Sequence, residues 1–236
     1  MEQIYSIPVN EAFREGAKKP ECGCPFCTIY RKLEENELDL ILGASMMEPD
    51  TRIQTNKEGF CRIHYDMMFV RKNRLGMALT LESHLDELRE NMKDTLAGKL
   101  AGKKGDRAAK RIEALEETCY VCRRIEYHFV RMIETAVLLW ESQEDFPSLL
   151  QSQPYYCLPH YRRMIRYASD RLSKKKYAEF EAQCSEPQYK YFDKLRGDVS
   201  WFCKKYDYRY EEEPWYDSKD AVERAIKFLR SDIHKN

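Results

Sequence analysis

The chain of 236 residues has few backbone breakers, with only nine glycines and nine prolines. Turn-dense sheet folds use more of both, so the composition points to helices. Net charge is also missing, because forty basic residues cancel forty acidic ones. No global field therefore draws the chain toward nucleic acid or an anionic membrane. No run approaches the roughly 18 apolar residues that span a bilayer. The opening "MEQIYSIPVNEAF" has neither the basic leader nor the apolar stretch of a secretory signal. The expected compartment is the cytoplasm, with no membrane partner. Glycine-rich nucleotide loops, a serine elbow and a Glu-x-x-His pair are lacking as well. An enzyme is therefore the less favoured class.

What the chain does have is cysteine. It carries nine, an odd count. In a reducing compartment these are ligands, reactive groups or core residues rather than disulfides. Four short stretches concentrate them: "CPFC" at 24–27, "FCRIHY" at 60–65, "CYVC" at 119–122 and "YCLPHY" at 156–161. Cys24 and Cys119 stand 95 positions apart, as do Cys27 and Cys122. Cys61 and Cys157, His64 and His160, Tyr65 and Tyr161, and Met68 and Met164 all stand 96 apart. One inserted residue aligns the two sets, so the spacing reads as an internal repeat. Two copies are too few for a solenoid.

Cys-x-x-Cys followed by Cys-x-x-His supplies three thiolates and an imidazole, a standard structural zinc set. The expected metal ligands are Cys24, Cys27, Cys61 and His64 for one ion, and Cys119, Cys122, Cys157 and His160 for another. The cofactor is therefore two zinc ions, with an iron–sulfur cluster as the alternative. A helix of about 20 residues out and a loop back would close each quartet within its own copy, pinning two helix starts together. Arg62, Arg123, Arg124 and Arg162 flank the ligands and could balance the excess thiolate charge. Four protein ligands leave no open position for a substrate, which favours structure over catalysis.

The expected fold is all-α: two zinc-clamped helical hairpins packed into a bundle, with a C-terminal helix. The expected division is a first module over 1–98, a basic connector over 99–112 and a second module over 113–236. Pro25 suits a first helical turn, and "TIYRKLEENELDLIL" continues with Ile29, Leu33, Leu40 and Ile41 as its apolar stripe. The carboxylates of "LEENELD" read as a solvated face. "DTRIQTNKE" reads as a connector. Leu81, Leu85, Leu88 and Met92 make a 4-3-4 stripe. "IYSIPV" is the one strand candidate. Gly102 and Gly105 mark a break, with Asp106 as a possible N-cap. The last helix is expected from Lys219, capped by Asp217 or Ser218, with Val222, Ile226 and Leu229 inward.

Other residues attract bland readings. Cys22 is a bystander near the first quartet, and Cys184 and Cys203 are core or boundary residues. His84 and His128 are helix-surface or satisfied core residues, and His234 lies in a frayed end. Trp215 is expected to pack into the helices, while Asp207 with Arg209 fixes the loop around "EEEPWYDS". The same aromatic segment could alternatively be an exposed interface.

Taken with "MMEPDTRIQTNKEGFCRIHY", "KNRLGMALTLESHL" and "WFCKKYDYRYEEEPWYDSKDAVERAI", the motifs give an end-to-end resemblance to an uncharacterised bacterial family, a domain of unknown function. The resemblance implies a cytosolic bacterial protein and no particular activity. The expectation is a non-catalytic zinc-binding helical protein that acts through a protein partner. One alternative is a thiol-based redox or metal sensor, motivated by Cys22. Another is nucleic-acid binding through Lys99, Lys103, Lys104, Arg107, Lys110 and Arg111.

Overall fold

The computed structural model describes residues 3–97 and 104–234. Eleven α-helices run through them, and no strand occurs among the described residues. The helices are α1 Gln3–Lys18, α2 Pro25–Leu42, α3 Pro49–Glu58, α4 Arg62–Val70, α5 Arg74–Ala97 and α6 Lys104–Glu117. They continue with α7 Tyr120–Ser142, α8 Phe146–Gln151, α9 Leu158–Arg171, α10 Lys174–Lys204 and α11 Ala221–Arg230. The chain is all-α, as its scarcity of glycine and proline suggests.

Two compact units emerge, and they are interleaved along the chain. The terminal unit comprises Met1–Arg31 with Phe129–Asn236, and the central unit is Lys32–His128. The division falls inside helices: α2 begins in the terminal unit and ends in the central one, and α7 does the reverse. The sequential division at 99–112 is therefore not where packing separates the chain. Of that connector, residues 99–103 lie outside the described residues. Asp106 is no N-cap, because α6 already begins at Lys104.

In the terminal unit, α1 takes up the one stretch with strand-like alternation, "IYSIPV". Tyr5, Val9, Ala12 and Phe13 recur at helical spacing and are buried, whereas Ile4 and Ile7 are exposed. Phe13 packs on Phe26 of α2 and Phe146 of α8, with ring centroids 5.4 and 4.9 Å apart. The long α10 starts at Ser173, whose side chain accepts from the Lys176 amide. Its inner face buries Phe180, Cys184 and Leu195, so Cys184 is a core residue, while Cys203 is exposed. The last helix presents the other face from the one expected. Ala221 and Phe228 are buried, and Val222, Ile226 and Leu229 are exposed. Phe228 settles the rotation by entering an aromatic set of Tyr155, Tyr191 and Phe192, 5.5 to 5.8 Å away. Aromatic pairs at such distances add favourable ring contacts to the area they bury.

Before α11, Asp207 holds Arg209 through both carboxylate oxygens and accepts from its amide. Lys205 Nζ donates to the carbonyls of Tyr210, Glu211 and Glu213. Trp215 packs on Phe202, and Trp201 donates to the Pro214 carbonyl. The segment is thus tied down from both sides, as the Asp207–Arg209 reading anticipates.

In the central unit, "DTRIQTNKE" is helix α3 rather than a connector, with Pro49 at its first turn and Asp50 beside it. Proline costs nothing there, since the first amides have no intrahelical partner. Helix α5 turns inward a face that overlaps its leucine stripe only in part, with Leu81 and Leu88 half-buried. Met77, Thr80 and His84 are buried, while Leu85 is exposed. His84 is satisfied, its Nδ1 lying 2.8 Å from the Asn56 carbonyl.

Candidate metal centres

Each of the four motifs occupies a helix start. Cys61 and Cys157 are the N-caps of α4 and α9, with His64 and His160 in the first turns. Cys24 and Cys119 directly precede α2 and α7, with Cys27 and Cys122 in those first turns. In the first turn of a helix, positions three apart point the same way, so each motif aims two donors at one spot. Unpaired amides and the helix dipole there also favour thiolate. Two glycines shape the approaches. Gly23 (φ 72) precedes Cys24, and a Cβ on it would meet the Tyr155 hydroxyl at 2.8 Å. Gly59 closes α3 at φ 61, ψ −160, a region essentially reserved for glycine.

The eight donors converge in two groups, but the grouping crosses the sequence halves. Cys24 and Cys27 meet Cys157 and His160 in the terminal unit. Cys61 and His64 meet Cys119 and Cys122 in the central unit. The expected pairing within each half is therefore corrected. Chain length explains why. At 1.5 Å per residue, α2 advances about 27 Å and α3 returns only about 15 Å. His64 accordingly comes back beside Glu34, midway along α2, and not at its start. In the second half α7 has 23 residues and α8 only six, so the return falls short again.

Local contacts hold the partners together. In the central unit the Tyr120 amide donates to the Gly59 carbonyl (3.0 Å), and the Thr118 hydroxyl donates to the Glu58 carbonyl (2.8 Å). These set the start of α7 against the start of α4. In the terminal unit, Phe26 beside the cysteines stacks edge-on to His160 at 6.0 Å, and Phe129 does the same at 5.0 Å. The Asp232 amide, beyond α11, donates to Cys27 Sγ at 3.4 Å. Arg31 in turn donates to the Asp232 carboxylate.

The donor atoms of each group all lie within 4.8 Å of one another. A tetrahedral ion with metal–sulfur bonds near 2.3 Å and metal–nitrogen bonds near 2.0 Å spaces its donors roughly 3.6–3.8 Å apart. In the terminal tetrad, Cys27 and Cys157 sulfurs are 3.7 Å apart, and His160 Nδ1 lies 3.7, 3.6 and 3.1 Å from Cys24, Cys27 and Cys157. In the central tetrad, Cys61 and Cys122 sulfurs are 3.9 Å apart, and His64 Nδ1 lies 3.2, 3.3 and 3.4 Å from Cys61, Cys119 and Cys122. Both donor sets fit a single four-coordinate ion. All nine cysteines are free thiols.

Behind the ligands the two tetrads differ. His64 Nε2 lies 3.1 Å from Glu34 Oε1, and both side chains are buried. With Nδ1 turned to the sulfurs, Nε2 is the nitrogen that donates to the carboxylate, a familiar way to orient a ligating imidazole. Position 129 stands at the motif offset of 95 from Glu34, and it holds the Phe129 ring against His160. Glu34 and Glu37 are both buried, so "LEENELD" is not a wholly solvated face. The flanking arginines serve carboxylates: Arg62 pairs with Asp66, Arg123 with Glu58 and Arg124 with Glu37. Arg162 is exposed.

Crowding of the thiols divides their protons. A hydrogen bond from Cys122 holds the Cys119 thiol down at about 3, with His64 adding to it, while Cys122 is pushed up by the same contact. Hydrogen bonds from Cys24 and Cys27 lower Cys157. Burial raises Cys24, and the Cys157 contact raises Cys27 to about 12. Burial opposes charge on His64, but the Cys119 and Glu34 contacts outweigh it and hold the imidazole at about 10. Negative charge thus favours Cys119 in one tetrad and Cys157 in the other, while Cys122, His64, Cys24 and Cys27 hold displaceable protons.

Cys22 is half-buried and belongs to neither tetrad. His84 and His128 join no donor group among the described residues, and His234 rests edge-on to Tyr30 at 6.0 Å. Of the connector cations, Lys99 and Lys103 lie outside the described residues, Lys104 and Arg107 fall in α6, and Arg111 donates to the Asn56 carbonyl. No helix among the described residues is long and apolar enough to cross a membrane. No curated protein and no solved structure matches the chain. Family comparison agrees with the resemblance carried by the motifs: a family model spans residues 1–236, and the chain belongs to that family of unknown function (DUF6062).

Proposed function

We propose that the chain is a zinc-binding helical protein whose two ions each tie a Cys-x-x-Cys helix start to a Cys-x-x-His helix start, and that it works by binding a protein partner. The observation that carries this reading is the convergence of three sulfurs and one Nδ1 within 4.8 Å, twice. Mixed sulfur and nitrogen donors in tetrahedral spacing suit zinc. An iron–sulfur cluster spreads its thiolates around several metal atoms, whereas these donors point at one. Four protein ligands complete the coordination, so the ions hold helices and leave no place for a substrate. The two motif sets descend from an internal duplication, and each copy supplies one half of each tetrad.

Zinc bound at such sites contributes about 10–16 kcal/mol of apparent folding free energy, comparable with the whole stability of a domain. Elemental analysis of the chain, purified without chelator, tests the reading. Two equivalents of zinc and no inorganic sulfide are expected, and less than about half an equivalent of metal per chain overturns it. For the partner, pull-down with the zinc-loaded chain should recover a protein that the metal-stripped chain does not; equal recovery would separate binding from the metal.

A further inference from the structure

The two tetrads share their donor atoms but not their surroundings. We propose that the central tetrad is an exchange site for a soft divalent metal ion and the terminal tetrad a permanent fastener, with Glu34 as the residue that keeps the emptied central site in shape. The inference rests on the metal-binding reading above and assigns the two sites different tasks.

Access is the first ground. In the terminal tetrad all four ligands are buried. The Asp232 amide covers Cys27 Sγ, Arg31 holds Asp232 in place, and the Phe26 and Phe129 rings both pack edge-on against His160. An incoming donor reaches those sulfurs only if the aromatic core opens. In the central tetrad Cys61 and Cys122 are half-exposed. They belong to different helix starts, yet their sulfurs lie 3.9 Å apart. A dithiol approaching from solvent can therefore address both from one side.

The second ground is Glu34. A site that exchanges its ion must survive the interval without it. His64 is fully buried and held from behind by a carboxylate on α2, on the side away from the sulfurs. That contact does not depend on the ion, so the imidazole stays aligned when Cys61 and Cys122 let go. His160 has the Phe129 ring at the corresponding position, which fills space but fixes no nitrogen. In the exchange, each incoming thiol hands its proton to the cysteine it replaces. Charge is conserved and nothing is oxidised. The acceptor is thus a soft-metal ligand such as a dithiol.

The test uses the full zinc-loaded chain, a dithiol chelator in excess and an alkylating reagent. Metal release is followed with a zinc indicator, and modified cysteines are identified by peptide mass. Two equal phases are expected, separated by at least about tenfold in rate, as local and core openings are. Cys61, Cys119 and Cys122 should be alkylated with the fast phase, and Cys24, Cys27 and Cys157 with the slow one. A single phase, or alkylation of Cys24, Cys27 and Cys157 in the fast phase, overturns the division. Less than about half an equivalent of metal on the starting protein would overturn the underlying reading instead. For Glu34, the readout is cobalt reloading of the fast site, seen in its visible spectrum. Glu34→Leu should weaken reloading by about 10- to 100-fold. Glu34→Gln, whose oxygen still accepts from Nε2, should restore it. Equal reloading by Glu34→Leu and the unaltered chain removes Glu34 from the scheme.

Discussion

The terminal and central tetrads use the same four donors in the same helix-start geometry, and they differ one layer out. Around His160 the second layer is aromatic, with Phe26 and Phe129. Around His64 it is a buried carboxylate, and the neighbouring contacts are ion pairs, Arg124 with Glu37 and Arg123 with Glu58. Donor identity sets which metal fits, whereas the second layer sets how easily the site opens. A sequence motif reports only the first of these.

The largest effect should come from dividing the chain. Residues 1–112 and 113–236, made separately, each carry one Cys-x-x-Cys and one Cys-x-x-His, but the structure pairs neither with its own. Each half is expected to bind metal weakly and to lack stable helix by circular dichroism, and mixing should restore both. A half that folds alone around one ion would restore pairing within halves.

Point changes should then separate the tetrads. Cys157→Ala is expected to lower zinc from two equivalents to one and to remove on the order of 10 kcal/mol from the terminal unit. Limited proteolysis should cut within 129–234. Cys61→Ala should cost the other equivalent while the terminal helices stay protected. If both variants lose both ions, the sites are not separable.

Acidity should affect the two sites alike. Cys24 and Cys27 in one tetrad, and Cys122 and His64 in the other, hold protons that an arriving ion displaces. The bound state has fewer protons, so affinity falls as pH falls. At pH values below about 10, where His64 and Cys27 both remain protonated without metal, each displaced proton means about tenfold per pH unit. Chelator competition at several pH values measures the slope, and a flat profile would show that the thiols are already ionised.

Smaller effects probe the second layers. Phe129→Ala should cost about 3–5 kcal/mol through the cavity it leaves beside His160, read by denaturant unfolding of the loaded chain. Ser173→Ala, remote from both tetrads, should cost only about 1 kcal/mol as a lost N-cap. A Phe129 effect as small as that one would mean that the aromatic layer does not seal the terminal site.

Much of this was legible in the residues. The helical class followed from scarce glycine and proline, and the repeated motifs identified which eight side chains would gather. The partnership within each group was not legible, because spacing along the chain does not show how far a return segment travels. "DTRIQTNKE" looked like loose chain, yet Pro49 and Asp50 start a helix there, and a helix covers ground slowly. Glu34 was hidden for another reason. A carboxylate among carboxylates reads as solvated unless its partner, 30 positions away, is known to lie beside it. The facing of α11 was decided by the aromatic set around Phe228, which its own sequence does not contain.

The crossed wiring also constrains how the protein can be made. As the polypeptide leaves the ribosome, Cys24 and Cys27 emerge first but wait for Cys157 and His160. The central tetrad, which needs nothing beyond Cys122, can be completed earlier. The first motif to be synthesised thus belongs to the last site to close, and the interval leaves an unpartnered dithiol at Cys24 and Cys27. Capture of metal by the growing chain would therefore begin at the central tetrad and finish by joining the segments before and after it.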